Sequence, residues 1–366
     1  MSSNPKFLKV QKLLVHFCLL LLIACSGTEE RSKRPTTPRK KKASRIIAPK
    51  NNTTYSLGDI IDFRVGLSED SANIDSIKLE APNVTETFTG STFSWTSTNS
   101  RVGKPRLKLT VYFQGKKETL YPKVTILPGP PVQYTYRVIN TYPHDDEAYT
   151  QGLFWHDSDL WESTGKPGAS TMRKVELTTG KPVQMIDLDA QLFGEGAAIY
   201  QDQIYQLTYH AQKGFVYNLD LQLQREFRFS TETTEGWGLT HLDENLVVSD
   251  GSENLYVMEP DGFTEIDRIQ VYDHNGLVIN LNELENIEGR IYANVYGENY
   301  IVVIDPKSGA VVEEIDLTAI WPANPGDIDH VLNGIAFDPD TKRMFVTGKY
   351  WPNLYEVQTL RRANQP

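Results

Sequence analysis

The stretch "QLFGEGAAIY", residues 191 to 200, sets one carboxylate, Glu195, between two glycines at the start of an apolar run. Glycine there costs conformational entropy that a strand would be more stable without, so the arrangement needs a reason beyond the strand itself. Four further stretches share its grammar: "YTQGLFWHDSDLWEST", "EGWGLTHLDENLVVSD", "NLNELENIEGRIYANV" and "VLNGIAFDPDTKRMFVTG". Each opens on a polar or aromatic residue, usually followed by Gly. It then runs through a short apolar strand, turns on Asp, Asn or Gly, and returns as a second strand. The residue just ahead of the shared point is Gln151, Glu195, Trp237, Asn282 or Asn333. One carboxylate among amides and an indole offers a single group able to take and return a proton. No metal-ligand set or nucleophilic Ser or Cys accompanies it.

The elements that must position these residues follow from the repeat. The shared points Gly152, Gly196, Gly238, Glu283 and Gly334 lie 44, 42, 45 and 51 residues apart. A period in the low forties with four strands per unit marks a β-propeller blade, so residues 131–366 are predicted to form a five-bladed β-propeller. Hairpins such as "VELTTGKPV", "VMEPDGFTEI" and "VIDPKSGAVV" supply the later half of the units. The last unit ends one strand short, after "NLYEVQTL". The orphan strand "YTYRVINTYP", residues 134 to 143, is expected to complete it and close the ring. Inner strands of a propeller run the same way around one channel, so the five residues converge at one mouth, in a concave site. The glycines are expected to give access to the carboxylate and to let the backbone turn into the strand. Asn333 reads equally well as a plug that satisfies channel carbonyls.

Ahead of the propeller, residues 46–130 read as short strands of period two with Asn, Ser, Gly and Pro between them. That pattern predicts a small immunoglobulin-like β-sandwich without a disulfide, acting as a spacer or adhesion module and ending at "LPGPP". Residues 26–45 carry a dense basic cluster and no apolar periodicity, which predicts a disordered tether. Residues 1–25 read as a signal peptide: Lys6, Lys9 and Lys12 precede an apolar run from Leu13 to Ala24. The run ends in "LIAC", which resembles the lipobox of bacterial lipoproteins; in that family the cysteine, here Cys25, carries the lipid. The only other cysteine, Cys18, lies inside the removed segment. The expected location is therefore the bacterial cell envelope, lipid-anchored on a periplasmic or cell-surface face. A net charge of −10 excludes a general nucleic-acid binder.

The motifs "YTQGL", "FGEG", "EGWGL", "LNELE" and "TGKYWPNLYEV" together resemble the glutamine cyclotransferases of the plant and bacterial type. That family consists of five-bladed propellers that convert N-terminal glutamine to pyroglutamate with release of ammonia. The resemblance covers roughly residues 134–360. It implies Glu195 as the proton-transferring carboxylate, with Lys349 and Asn282 as further catalytic residues able to donate hydrogen bonds to the carboxamide oxygen. It implies Gln151, Phe193, Tyr209, Trp237 and Tyr296 as substrate-binding residues. Tyr209 and Tyr296 stand where plant members carry tryptophan, which bears on pocket size. No cofactor is implied, although a structural cation in the channel is compatible with a small propeller. The zinc-dependent animal enzymes of the same activity are not matched, since the seven histidines include no closely spaced pair.

Several residues have plainer readings. Lys349 alone would read as a surface lysine over aromatics, and Trp237 as a core plug between blades. Tyr350, Trp351 and Pro352 are expected to pack the last blade, and "HDDEA" at 144 to 148 to be a solvated turn rather than a metal loop. The rival to an enzyme is a non-catalytic ligand-binding or adhesion lipoprotein with a propeller domain. The expected partners are peptides or proteins with N-terminal glutamine, and a membrane through the N-terminal lipid. Cys25→Ala is expected to abolish labelling of the protein by a fatty-acid probe; unchanged labelling would refute the anchor.

Overall fold

The computed structural model describes residues 42–68, 73–82, 84–320 and 329–363. Cys25, the signal segment and the tether up to residue 41 lie outside the described residues. From Thr150 onward the chain forms five β-meander blades around one channel. Their inner strands are Thr150–His156, Gly194–Tyr200, Leu239–Leu242, Leu281–Ile287 and Leu332–Asp338. Each inner strand lies between two neighbouring blades, so both its faces are covered and it reads as a buried run. In Gly194–Tyr200 the first five residues are all buried, whereas the outermost strand of the previous blade, Pro182–Asp187, has no buried residue.

The fifth blade has Leu332–Asp338, Arg343–Gly348 and Asn353–Arg361, and then borrows its outer strand from the other end of the domain. Val132–Pro143 runs antiparallel to Asn353–Arg361, from Tyr134 opposite Arg361 to Pro143 opposite Asn353. The first residues of the same strand pair in parallel with Ala310–Asp316 of the fourth blade. The orphan strand therefore closes the ring as the repeat predicted. Leu153, Leu160, Ala336, Phe345 and Leu354 pack the first blade against the fifth, each large side chain contributing about 1.5–3 kcal/mol by leaving water.

The residues ahead of the propeller form a three-stranded sheet (Ser44–Ala48, Ile60–Leu67, Thr92–Thr96), a four-stranded sheet and a parallel pair. These enclose one core that includes Ile61, Phe63, Ile77, Leu79, Trp95, Leu109 and Val111. This is the small sandwich of the sequence reading, begun two residues earlier: Ser44 and Arg45, read as tether, pair with Leu67 and Gly66 in its first strand. It is also bonded to the propeller. The Val102 N–H donates to the Ser308 carbonyl at 2.9 Å, and Arg101 pairs with Asp267 and donates to the Arg268 carbonyl at 2.6 Å. Val102, Tyr272 and Ala310 bury one another beneath these bonds.

These contacts separate two truncations. A chain beginning at Pro131 keeps the closing strand and should fold, with a Tm lower by roughly 4–8 °C for the loss of about 2 kcal/mol of apolar cover on Tyr272. One beginning at Tyr149 lacks that strand, exposes the edge of Asn353–Arg361 and should aggregate. Thermal unfolding checks both, and a stable Tyr149 chain would contradict the closure.

Candidate active site

Four of the five inner strands break register where the sequence placed the converging residues. Pairing shifts between Thr150 and Gly152, Gly194 and Ala197, Leu281 and Leu284, and Leu332 and Ile335. Gln151, Glu195, Asn282 and Asn333 thus sit in β-bulges, which bend a strand and re-aim a side chain. All four are buried.

Gly334, beside Asn333, has φ of +120° and does supply the expected turning freedom; the other glycines have a different purpose. Gly152, Gly196 and Gly238 do not occupy the left-handed region, so turning freedom is not what they supply. A Cβ on Gly196 would lie 2.5 Å from the Trp237 oxygen and the Leu239 nitrogen, and one on Gly152 would lie 2.5 Å from the Ala197 nitrogen. Glycine lets neighbouring inner strands touch. In the fourth blade Glu283 takes the place of glycine, and its carboxylate reaches across the channel to accept the Leu153 N–H at 3.3 Å. Asn333 does act as a plug. Its amide donates to the Thr150 carbonyl at 2.9 Å and to Gln151 Oε1 at 3.3 Å.

Above this floor stands a wall with at least one member from every blade. Trp237 meets Tyr296 edge-on at 5.7 Å, and Lys349 Nζ lies 5.2 Å from the Tyr296 ring and 4.6 Å from the Tyr149 ring. Tyr149 meets Phe193 at 5.8 Å, and Phe193 meets Tyr209 at 5.6 Å. The Glu235 carboxylate, whose charge acts on Tyr209, accepts the Trp237 indole N–H at 2.8 Å. Tyr209, Tyr296 and Lys349 each directly follow the second strand of their blade. Each backbone N–H donates to the residue two before the bulge: Tyr209 to Phe193, Tyr296 to Asn280 and Lys349 to Val331, at 2.8 to 3.0 Å.

Glu195 sits within this wall, close enough for its charge to act on Lys349, Tyr149 and Tyr209. Burial pushes its carboxyl well above the usual carboxylate range, against the opposing pull of Lys349; the nearby Glu235 charge adds to the rise. Burial likewise draws the Lys349 ammonium down to about 8, although Glu195 and Asp329 favour its charge. A carboxyl and an ammonium both moved toward neutral pH are suited to proton traffic.

The structure thus brings together Gln151, Phe193, Glu195, Tyr209, Trp237, Asn282, Tyr296 and Lys349. Lys349 is 3% exposed and is not a surface lysine; Trp237 is half-buried in the wall rather than a plug between blades. Sequence reasoning missed Tyr149, Glu235, Tyr350 and Lys166. Tyr350 stands 5.1 Å from Tyr149 instead of packing the blade, while Trp351 does pack it. Lys166 Nζ lies 4.0 Å from the Tyr149 ring and pairs with Asp329 at 2.9 Å. Tyr149 and Glu235 were visible in principle, lying two residues before Gln151 and Trp237 as Phe193 lies before Glu195. The turn at 144 to 148 is solvated only at Asp146 and Glu147; His144 and Ala148 are buried.

The family model for glutamine cyclotransferase matches residues 114–359. The chain belongs to the glutamine cyclotransferase family. It is 38% identical over 233 residues to the glutaminyl-peptide cyclotransferase of Arabidopsis thaliana, a span of 62% of this chain and 72% of the relative. The crystal structure of Myxococcus xanthus glutaminyl cyclase matches with a TM-score of 0.60 at 38% identity, over 64% of this chain and 100% of that one. Membership of a cyclotransferase family favours turnover over the non-catalytic reading.

In this cyclotransferase Gly196→Ala should cost about 1–3 kcal/mol or more by forcing two blades apart. Gly129→Ala, where a Cβ meets nothing within 4 Å, should be neutral. Thermal unfolding of the two variants checks this, and equal stability would remove the close-approach argument.

Proposed function

We propose that the chamber cyclises the N-terminal glutamine of peptides or proteins to pyroglutamate with Glu195 as the proton shuttle. The family makes the chain an enzyme of this type; the proposal concerns which residues carry the steps. The observation behind it is the buried carboxyl group of Glu195 within an aromatic wall, with the buried ammonium of Lys349 beside it.

Nucleophile and electrophile belong to one substrate molecule, so the first task is conformational. The wall of Tyr149, Phe193, Tyr209, Trp237 and Tyr296 folds the glutamine side chain back toward its own α-amine, a proximity effect. The neutral amine attacks the carboxamide carbon and a new C–N bond forms. Glu195 accepts the proton that the amine nitrogen sheds and returns it to the amide nitrogen. That nitrogen departs as ammonia when its C–N bond breaks, leaving the lactam. Lys349 and Asn282 stabilise the carboxamide oxygen while it carries negative charge, and Gln151 is held by Asn333 at the floor. The scheme draws on no cofactor. We also assign the enzyme to the cell envelope, held through Cys25, on the strength of the lipobox-like "LIAC" alone.

Glu195→Gln should lower kcat by at least about two decades, the lower end of general acid–base contributions, with KM little changed because the wall is intact. The pH profile gives an independent check. Glu195 must be ionised to accept a proton, so the wild-type rate should fall as pH drops through its raised pKa. It should fall again above about 8 as Lys349 loses its proton. In Glu195→Gln the acid limb set by the carboxylate should vanish, while any rise from ionisation of the substrate amine, near pH 8, remains. Ammonia release from a glutamine-initiated dipeptide measures all of this. A wild-type kcat in the variant would move the shuttle elsewhere.

A further inference from the structure

The lysine of the site rides on a tight turn, Gly348–Trp351, closed by the Trp351 N–H donating to the Gly348 carbonyl at 3.1 Å. Tyr350, at its third position, has φ of +60°, a conformation that costs a bulky residue energy and persists only where the surroundings impose it. The surroundings here are residues 144–148, the segment that follows the ring-closing strand. Tyr350 N–H donates to the Ala148 carbonyl at 2.7 Å, and His144 N–H donates to the Pro352 carbonyl at 2.9 Å. The His144 ring adds a third bond, with Nδ1 2.6 Å from the Trp351 carbonyl oxygen.

The other ring nitrogen, Nε2, lies 3.0 Å from Glu162 Oε1. Glu162 also receives the Thr150 hydroxyl at 2.7 Å and two Arg173 N–H bonds at 2.9 and 2.6 Å, so it is a carboxylate. Both histidine nitrogens therefore face atoms that only accept, and both must carry protons. Arg173 turns its remaining arm to Asp145 at 2.8 Å, so the buried cluster holds two positive and two negative charges. Burial works against the His144 charge, but Glu162 and the Trp351 carbonyl together raise its pKa.

We propose that His144 is a positioning residue for the reaction: an imidazolium that clamps the Lys349–Tyr350 turn between Glu162 and the Trp351 carbonyl. This rests on the role assigned to Lys349 above. His144 touches no reacting atom. It acts by fixing where the ammonium and the Tyr350 ring stand.

Two substitutions divide its bonds. An Asn amide nitrogen falls near the position of Nδ1 and keeps the bond to the turn; a Gln nitrogen falls near Nε2 and keeps only the bond to Glu162. His144→Asn should retain kcat within about threefold and wild-type amide exchange at Tyr350 and Trp351. His144→Gln should show faster exchange there and a kcat lower by on the order of 10²-fold at nearly constant KM, as expected for a misplaced group. Equal losses in both variants, or wild-type kcat in His144→Gln, would overturn the positioning role. Ring-nitrogen NMR of the unaltered protein avoids any folding defect: both nitrogens of His144 should be protonated at pH 8, and a neutral tautomer would refute the clamp as drawn. Full activity in Lys349→Ala would instead overturn the role of the lysine, a separate result because exchange does not depend on turnover.

Discussion

The approach of neighbouring inner strands at the channel mouth decides what this site can be. Gly196 N–H donates to the Trp237 carbonyl at 2.6 Å, blade to blade, and no side chain larger than hydrogen fits at Gly152, Gly196 or Gly238 without moving a neighbouring backbone. Strands this close bring the four bulged positions into one small floor. The polar cost of crowding them is met across the same seams: Ser163 and Ser249 donate to the carbonyls of Glu195 and Asn282, and Asn294 accepts the Gly334 N–H. Backbone groups that would otherwise be buried without partners are thereby satisfied.

A narrow floor makes the wall above it effective. Four of the five blades present the residue after the second strand over the bulge of the first, held by one backbone hydrogen bond in the same place. Three of those residues are Tyr209, Tyr296 and Lys349. Enclosure removes Glu195 and Lys349 from water, which by itself would destabilise both charges. Each offsets part of that cost for the other. What remains is a carboxyl that holds its proton more readily and an ammonium that releases its proton more readily than either would in water, a state that solvent exposure would erase.

Much of this was legible from residue order. The five repeats gave the blades, the missing last strand gave the closure, and the position before each shared point gave the floor. Turning freedom explains Gly334 but not Gly152, Gly196 or Gly238, because a sequence shows glycine but not the neighbour a Cβ would strike. Lys349 came only from resemblance, although reading the repeat at its second strand aligns it with Tyr209 and Tyr296. Tyr149 and Glu235 follow from period two, one step back from the floor. His144 had no such signal. A histidine followed by two aspartates reads as solvated, and its partners Glu162 and Arg173 sit in strands whose burial depends on the fifth blade lying against the first.

That last dependence joins folding to chemistry. The segment from Val132 to Tyr149 supplies the outer strand of the fifth blade, then His144 on the turn, then Tyr149 in the wall. Until it docks, the fifth blade lacks its edge and the segment Gly348–Pro352 lacks its three bonds to residues 144–148. The lysine's place over the floor is thus fixed by the same contacts that close the ring. A propeller whose catalytic lysine stood on the second or third blade would assemble that part of the site from neighbours in sequence. Here the residue waits for the two ends of the domain to meet, so an open ring presents the carboxylate without its ammonium and with the chamber unsealed.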